Sequence, residues 1–141
     1  MAYQVEREIG AEPGRVWEIL TDPARLADGT FSIIRIDGEI AEGKTISLWS
    51  DVAPKQRFRL RVARLGEGEM VWESGMPFGL FTGSRRFEVT AEGAGSRFRM
   101  TETYRGPLAG PMVRMIPDLQ PSFETFGDGL KRAAEAGERA A

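Results

Sequence analysis

Three polar residues fall on one face of a strand pair whose other inward positions are apolar. The turn Glu92-Gly93-Ala94-Gly95 separates two segments that alternate with period two. Before it, Arg85, Phe87 and Val89 share a face; after it, Phe98, Met100, Glu102 and Tyr104 do. A tight turn pairs Val89 with Phe98, Phe87 with Met100 and Arg85 with Glu102. On such a face Arg85 can anchor an acidic or carbonyl group, or stabilise an enolate. Glu102 can orient the guanidinium or, like Tyr104, move a proton. The same pair also reads as a structural ion pair near the end of a sheet, where water still reaches.

The rest of the chemistry is narrowed by two absences. The 141 residues include no cysteine and no histidine. Disulfides, thiolate metal sites and cysteine nucleophiles are excluded, as are the commonest general base and the Ser-His-Asp triad. Asp and Glu are scattered without metal-ligand spacing, and no loop has the Gly-Lys-Ser/Thr of a phosphate cradle, so neither a metal nor a cofactor is expected. Nineteen basic residues against 21 acidic give a net charge of −2, which argues against a nucleic-acid partner. No apolar run approaches the roughly 18 residues needed to span a bilayer, and the N-terminus lacks a basic and an apolar signal region. The expectation is one cytoplasmic domain over residues 1–141.

These residues need a scaffold, and the hydrophobic period supplies its outline. Tyr3 to Ile9 alternates as a half-buried strand. Glu12 to Leu20 changes to helical spacing with Pro13 at the first position, and Asp22-Pro23 caps a second short helix running to about Asp28. From Phe31 to Arg105, turn signals separate about six strands, near residues 32–39, 44–51, 57–65, 69–74, 80–91 and 96–105. Met112, Met115, Ile116, Leu119, Phe123, Phe126 and Leu130 then follow at three- or four-residue intervals, one apolar helix face. Pro117 and Pro121 predict a kink or a fresh start within it, and the polar end after Lys131 predicts fraying. The order is β-α-α-β6-α, an α+β domain in which the long C-terminal helix covers the sheet.

Trp49, Trp72, Phe78, Phe81, Phe87, Phe98, Tyr104, Met112, Met115, Phe123 and Phe126 either fill the core or line an adaptable apolar pocket. Arg57, Arg59 and Arg61 alternate with Phe58, Leu60 and Val62, the pattern of a strand with a solvated basic face. Two Gly/Pro-rich loops with apolar tips, Gly75–Gly79 and Gly106–Pro111, are either ordinary turns or flank a cavity mouth.

The segments Glu8–Asp22, Gly83–Val89, Phe98–Leu108 and Phe123–Glu135 together resemble the START/Bet v1-like helix-grip superfamily (SRPBCC), in particular its bacterial polyketide cyclase/dehydrase-like branch. The resemblance implies a curved seven-stranded antiparallel sheet wrapped around the long C-terminal helix, with a deep hydrophobic cavity between them. It implies a lipid, quinone, polyketide or aromatic ligand. Many such relatives carry histidine where this chain has Arg85 and Met100, so chemistry resting on that histidine does not carry over, and no catalytic residue is assigned.

The leading expectation is non-catalytic binding, for transport or sequestration, of a small hydrophobic or amphipathic molecule by a monomer or homodimer. Its site would comprise Arg85, Glu102, Tyr104, Phe87, Met100, Trp72, Phe81, Met112, Met115, Ile116, Phe123 and Phe126. The alternatives are a cyclase, aromatase or dehydratase acting through Arg85, Glu102 and Tyr104, and a protein-interaction module whose cavity has collapsed below about 300 Å³.

Overall fold

Proline and period set the element boundaries. The computed structural model describes residues 3–66 and 68–140, with side chains throughout except those of 137–140. The elements are β1 (Tyr3–Ile9), α1 (Pro13–Leu20), α2 (Pro23–Leu26), β2 (Ile33–Asp37), β3 (Thr45–Ser50), β4 (Ala53–Gly66), β5 (Glu69–Met76), β6 (Phe81–Glu92), β7 (Gly95–Arg105), α3 (Ala109–Val113) and α4 (Gln120–Ala140). Pro13 opens α1, where its missing N–H costs no hydrogen bond. Asp22 caps α2 by accepting from the Ala24 and Arg25 amides at 3.0 and 3.4 Å. The strands form one antiparallel sheet in the order β1-β7-β6-β5-β4-β3-β2. The architecture is the expected helix-grip α+β fold. The turn signal Gly66-Glu67-Gly68 includes Glu67, which lies outside the described residues.

The register of the β6–β7 hairpin is the one its alternation predicts: Arg85 opposite Glu102, Phe87 opposite Met100 and Val89 opposite Phe98. Pairing is regular across β1, β7, β6 and β5. It shifts once in each of the β2–β3, β3–β4 and β4–β5 ladders. An unpaired residue bends a strand and increases its twist, so the curl is concentrated in the half of the sheet remote from β1.

That remote half is the one α4 does not cover. The helix packs chiefly against β1 and α1, with a smaller contact on β7. Phe123, Phe126, Leu130 and Ala134 are among its buried positions. Arg7 on β1 fastens it further, donating from Nη2 to Glu124 at 2.7 Å and from Nε to Asp128 at 2.9 Å. The Arg7 hydrogen bond is the largest of several influences holding the Glu124 carboxyl below its ordinary range.

Two expectations for the C-terminal third change. The break falls at residues 114–119, so Met112, Met115 and Ile116 lie on α3 and the linker instead of on the gripping helix. Pro117 has no N–H to continue a ladder, while Asp118 accepts from the Gln120 amide at 3.0 Å and starts a new helix with Pro121 in its first turn. The polar end does not fray near Lys131, because it is docked. Ala134 is fully buried, Glu135 accepts from the Gly10 amide at 2.8 Å, and Lys131 Nζ donates to the Glu8 carbonyl at 2.6 Å.

Close approach of α4 to the segment before β2 depends on Gly129. A Cβ there would stand 2.4 Å from the Thr30 carbonyl oxygen, a backbone atom that cannot swing aside. An exposed helical Gly→Ala change gains up to ~1 kcal/mol in propensity, whereas overpacking costs ~1–3 kcal/mol. Gly129→Ala is therefore expected to lower Tm by several degrees in a thermal melt. Gly14→Ala in α1, where nothing lies within 4 Å, should leave Tm unchanged or raise it. A Gly129→Ala protein as stable as the parent would show that α4 is not held this closely.

Candidate functional site

A cavity of about 500 Å³ lies between α4 and the inner face of β2 to β7, closed on one side by α3 and the α3–α4 linker. Its apolar walls come from alternate inward positions of neighbouring strands, including Leu48 on β3, Phe58 and Leu60 on β4, Trp72 on β5 and Met100 on β7. The strands contribute mainly alternate residues, which is why a cavity spread over six strands uses no contiguous motif.

Arg85, Glu102 and Tyr104 form one polar corner of it. Arg85 Nε donates to Glu102 Oε1 at 2.9 Å, and the Tyr104 hydroxyl donates to Glu102 Oε2. The guanidinium also sits 4.7 Å over the Phe123 ring of α4, a cation–π contact joining the sheet to the helix. Glu102 is 8% exposed, a position where a carboxylate without a partner would be costly. Both its oxygens are engaged. Among the described residues, nothing accepts from Arg85 Nη1 or Nη2, which leaves those donors for whatever enters the cavity. Tyr104 stacks on Phe81 with ring centres 5.7 Å apart, and Gly83 opposite it leaves the ring its room, since a Cβ there would meet the ring at 3.3 Å. Burial first, then the hydrogen bond to Glu102, pushes the Tyr104 phenol well above its ordinary pKa.

Eleven of the twelve expected residues line this cavity: Arg85, Glu102, Tyr104, Met100, Trp72, Phe81, Met112, Met115, Ile116, Phe123 and Phe126. Phe87 does not. It is fully buried behind the wall, 4.7 Å from Trp72 and 5.9 Å from Phe126 between ring centres, because β6 at that level passes under α4. Met115 stands 78% exposed at the rim. Of the other large side chains considered, Phe98 is core, Trp49 carries Arg35 at 4.9 Å, and Phe78 is 98% exposed on a loop. The Gly75–Gly79 and Gly106–Pro111 loops meet each other, Leu108 N–H donating to the Leu80 carbonyl at 2.9 Å beside Phe81 and Tyr104. The basic stripe on β4 is a solvated outer face, as its alternation predicts.

The sequence reading missed a second polar corner made by Ser32, Ser50 and Ser122. Small hydroxylated residues carry no periodic signal. Ser32 stands before β2 and Ser122 sits 90 residues later on α4, so only folding brings them together. No three His, Cys, Asp or Glu side chains among the described residues converge as metal ligands, and no described helix is long and apolar enough to cross a membrane.

Residues 2–135 match the sequence profile of the family described as polyketide cyclase / dehydrase and lipid transport. No curated protein sequence matches the chain. Among solved structures, protein MLL2253 from Mesorhizobium loti is similar over 94% of this chain and 96% of its own, at 17% identity and a TM-score of 0.72. DynU16, a putative protein of the dynemicin biosynthetic locus, is 16% identical with a TM-score of 0.68. BexL, a di-domain ARO/CYC of the BE-7585A biosynthetic pathway, is 13% identical with a TM-score of 0.68. This chain covers 96% and 94% of itself in those two matches but only 47% of DynU16 and 45% of BexL. At these identities the likeness is one of fold.

The state of Tyr104 is directly measurable, because Tyr3 is the only other tyrosine. In Tyr3→Phe, tyrosinate absorbance at 295 nm is expected to stay flat through the ordinary phenol range near pH 10 and to rise only as the fold is lost. The sign follows from the raised pKa: stabilisation from the neutral phenol is complete below pH ~10 and is lost as pH rises beyond it. A reversible midpoint near 10 in the folded protein would contradict the buried Tyr104–Glu102 contact.

Proposed function

The chain belongs to the polyketide cyclase / dehydrase and lipid transport family, and from that premise we propose that it binds a small amphipathic molecule in the cavity without transforming it. The cavity itself carries this reading. A volume of about 500 Å³ falls within the ~300–1,000 Å³ usual for small-ligand sites and above the size expected of a collapsed interaction module. The walls are mainly apolar with a few polar groups at fixed places, an arrangement that buries a hydrophobic body and orients its polar ends.

In this reading Arg85 is the anchor. Its Nε is committed to Glu102 and its flat face to Phe123, so the two Nη groups are held in place to donate to a carboxylate or carbonyl oxygen. Glu102 and Tyr104 position it. A cyclase or dehydratase would need one of these groups to exchange a proton with substrate. Glu102 has both oxygens occupied, and the Tyr104 proton is held against it by a raised pKa, which favours holding a ligand over converting it.

The test uses 8-anilinonaphthalene-1-sulfonate, an aromatic anion whose fluorescence reports apolar binding. The parent protein is expected to bind it saturably, one molecule per chain. Because Arg85→Gln alone strands a buried carboxylate, the informative variant is Arg85→Gln with Glu102→Gln, which neutralises both partners. Its affinity should fall at least tenfold, the scale of one charge-assisted hydrogen bond, with Tm little changed. Absence of saturable binding to the parent would overturn the cavity reading. An unchanged affinity in the double variant would make the pair structural.

A further inference from the structure

The second polar corner differs from the first in what it asks of a ligand. Ser32 Oγ lies in hydrogen-bond contact with Asp51 Oδ1 and 2.8 Å from Ser122 Oγ. An ionised carboxylate only accepts, and a hydroxyl has one proton to give. The Ser32 proton therefore goes to Asp51. With that proton spent, Ser32 can only accept from Ser122, so the Ser122 proton goes to Ser32. The chain runs in one direction, Ser122 to Ser32 to Asp51, and ends on an exposed carboxylate. Ser122, at its cavity end, has lone pairs left and no proton.

Several local contacts hold Ser32 in this role. It is 6% exposed and adopts a left-handed backbone (φ 64°), rare for a residue with a side chain. Its carbonyl accepts from Ser50 Oγ at 3.0 Å and from the Asp51 amide at 3.1 Å. Ser32, Ser50 and Ser122 all line the cavity.

The two corners lie apart along the sheet. Arg85 is on β6 and Ser32 precedes β2, four places further along the sheet order. Four inter-strand steps of about 4.8 Å make an arc of roughly 19 Å, which the curl of the sheet shortens to a smaller span. Neighbouring residues of α4 serve both corners, Phe123 supporting Arg85 and Ser122 reaching Ser32. Near Arg85 the free groups are donors; at Ser122 the free group is an acceptor.

We propose that Ser122, polarised through Ser32 by Asp51, is a hydroxyl-recognising subsite, and that the ligand class is a rigid amphipathic molecule with a carboxylate or carbonyl at one end and a hydroxyl or phenol at the other. The proposal rests on the cavity-binding reading above. It excludes ligands with an ether or carbonyl oxygen at the Ser122 end, since two sets of lone pairs would face each other there.

Three acids of one shape test it by calorimetry: biphenyl carboxylic acid, its para-hydroxyl derivative on the far ring, and the corresponding methoxy ether. The parent protein is expected to bind the hydroxy acid about tenfold more tightly than the plain acid, and the ether more weakly than either. Ser122→Ala should lose the preference for hydroxyl. Ser32→Gly, which suits the left-handed backbone and cuts the chain, frees the Ser122 proton, so the ether should no longer bind more weakly than the plain acid. Asp51→Asn can donate as well as accept, so the chain no longer has a single direction and discrimination against the ether should shrink. A merely structural role for these residues would not produce that last effect. Failure of the parent to bind any of the three acids overturns the cavity reading and the subsite with it. Equal binding of the plain and hydroxy acids, or a hydroxyl preference that survives Ser122→Ala, overturns the subsite alone.

Discussion

One helix is too narrow for the sheet it closes. Seven strands at about 4.8 Å spacing present a face nearly 29 Å wide, whereas a helix with its side chains is about 10–12 Å across. α4 settles on the β1–β7 side, held by Phe123, Phe126, Leu130 and Ala134 and by the Arg7 contacts to Glu124 and Asp128. The remainder of the face must be covered some other way. Register shifts in the β2–β5 ladders curl that half inward, and α3 with its linker closes the side, leaving a mainly apolar cavity with an open rim. The cavity is a consequence of this mismatch in width, and the side chains on its walls acquire their meaning from it.

Polar groups placed on such walls call for local partners, since a buried unpaired group is costly, and Trp72 Nε1 is left without one among the described residues. The chain meets that requirement twice, with different residual capacity. Arg85 has more donors than Glu102 can use, and the surplus faces the cavity. The serine pair has fewer protons than acceptors, and the deficit faces it. Both arrangements are fixed through α4, Phe123 under the guanidinium and Ser122 against Ser32, so the helix that shapes the cavity also sets its two polar ends.

Much of this was legible in the sequence where local rules act alone. The Glu92–Gly95 turn and strict alternation on either side gave the β6–β7 register to the residue, and with it the Arg85–Glu102 pair. Pro13 and Asp22 marked the first two helices. The reading failed where a second element decides. Phe87 has the same alternation as Arg85, but α4 crosses above it and seals it into the core. The helical spacing from Met112 to Leu130 spans two helices, because Pro117 and Asp118 restart the ladder without disturbing the period. The last turns of α4 looked too polar to hold, yet Lys131 and Glu135 find backbone partners on the β1 side of the fold.

By itself, the sequence determined the strands and the first two helices, the hairpin register, the chemistry excluded by a chain without cysteine or histidine, and a charged pair on an apolar face. These follow from period, turn residues and side-chain inventory, all properties of neighbours in the chain. Only the tertiary structure decided that the space beside that pair stays open and that Ser32, Asp51 and Ser122 converge across it. The physical reason is that a cavity is set by what two surfaces fail to fill. That depends on where sheet and helix come to rest against each other, and no single segment encodes it.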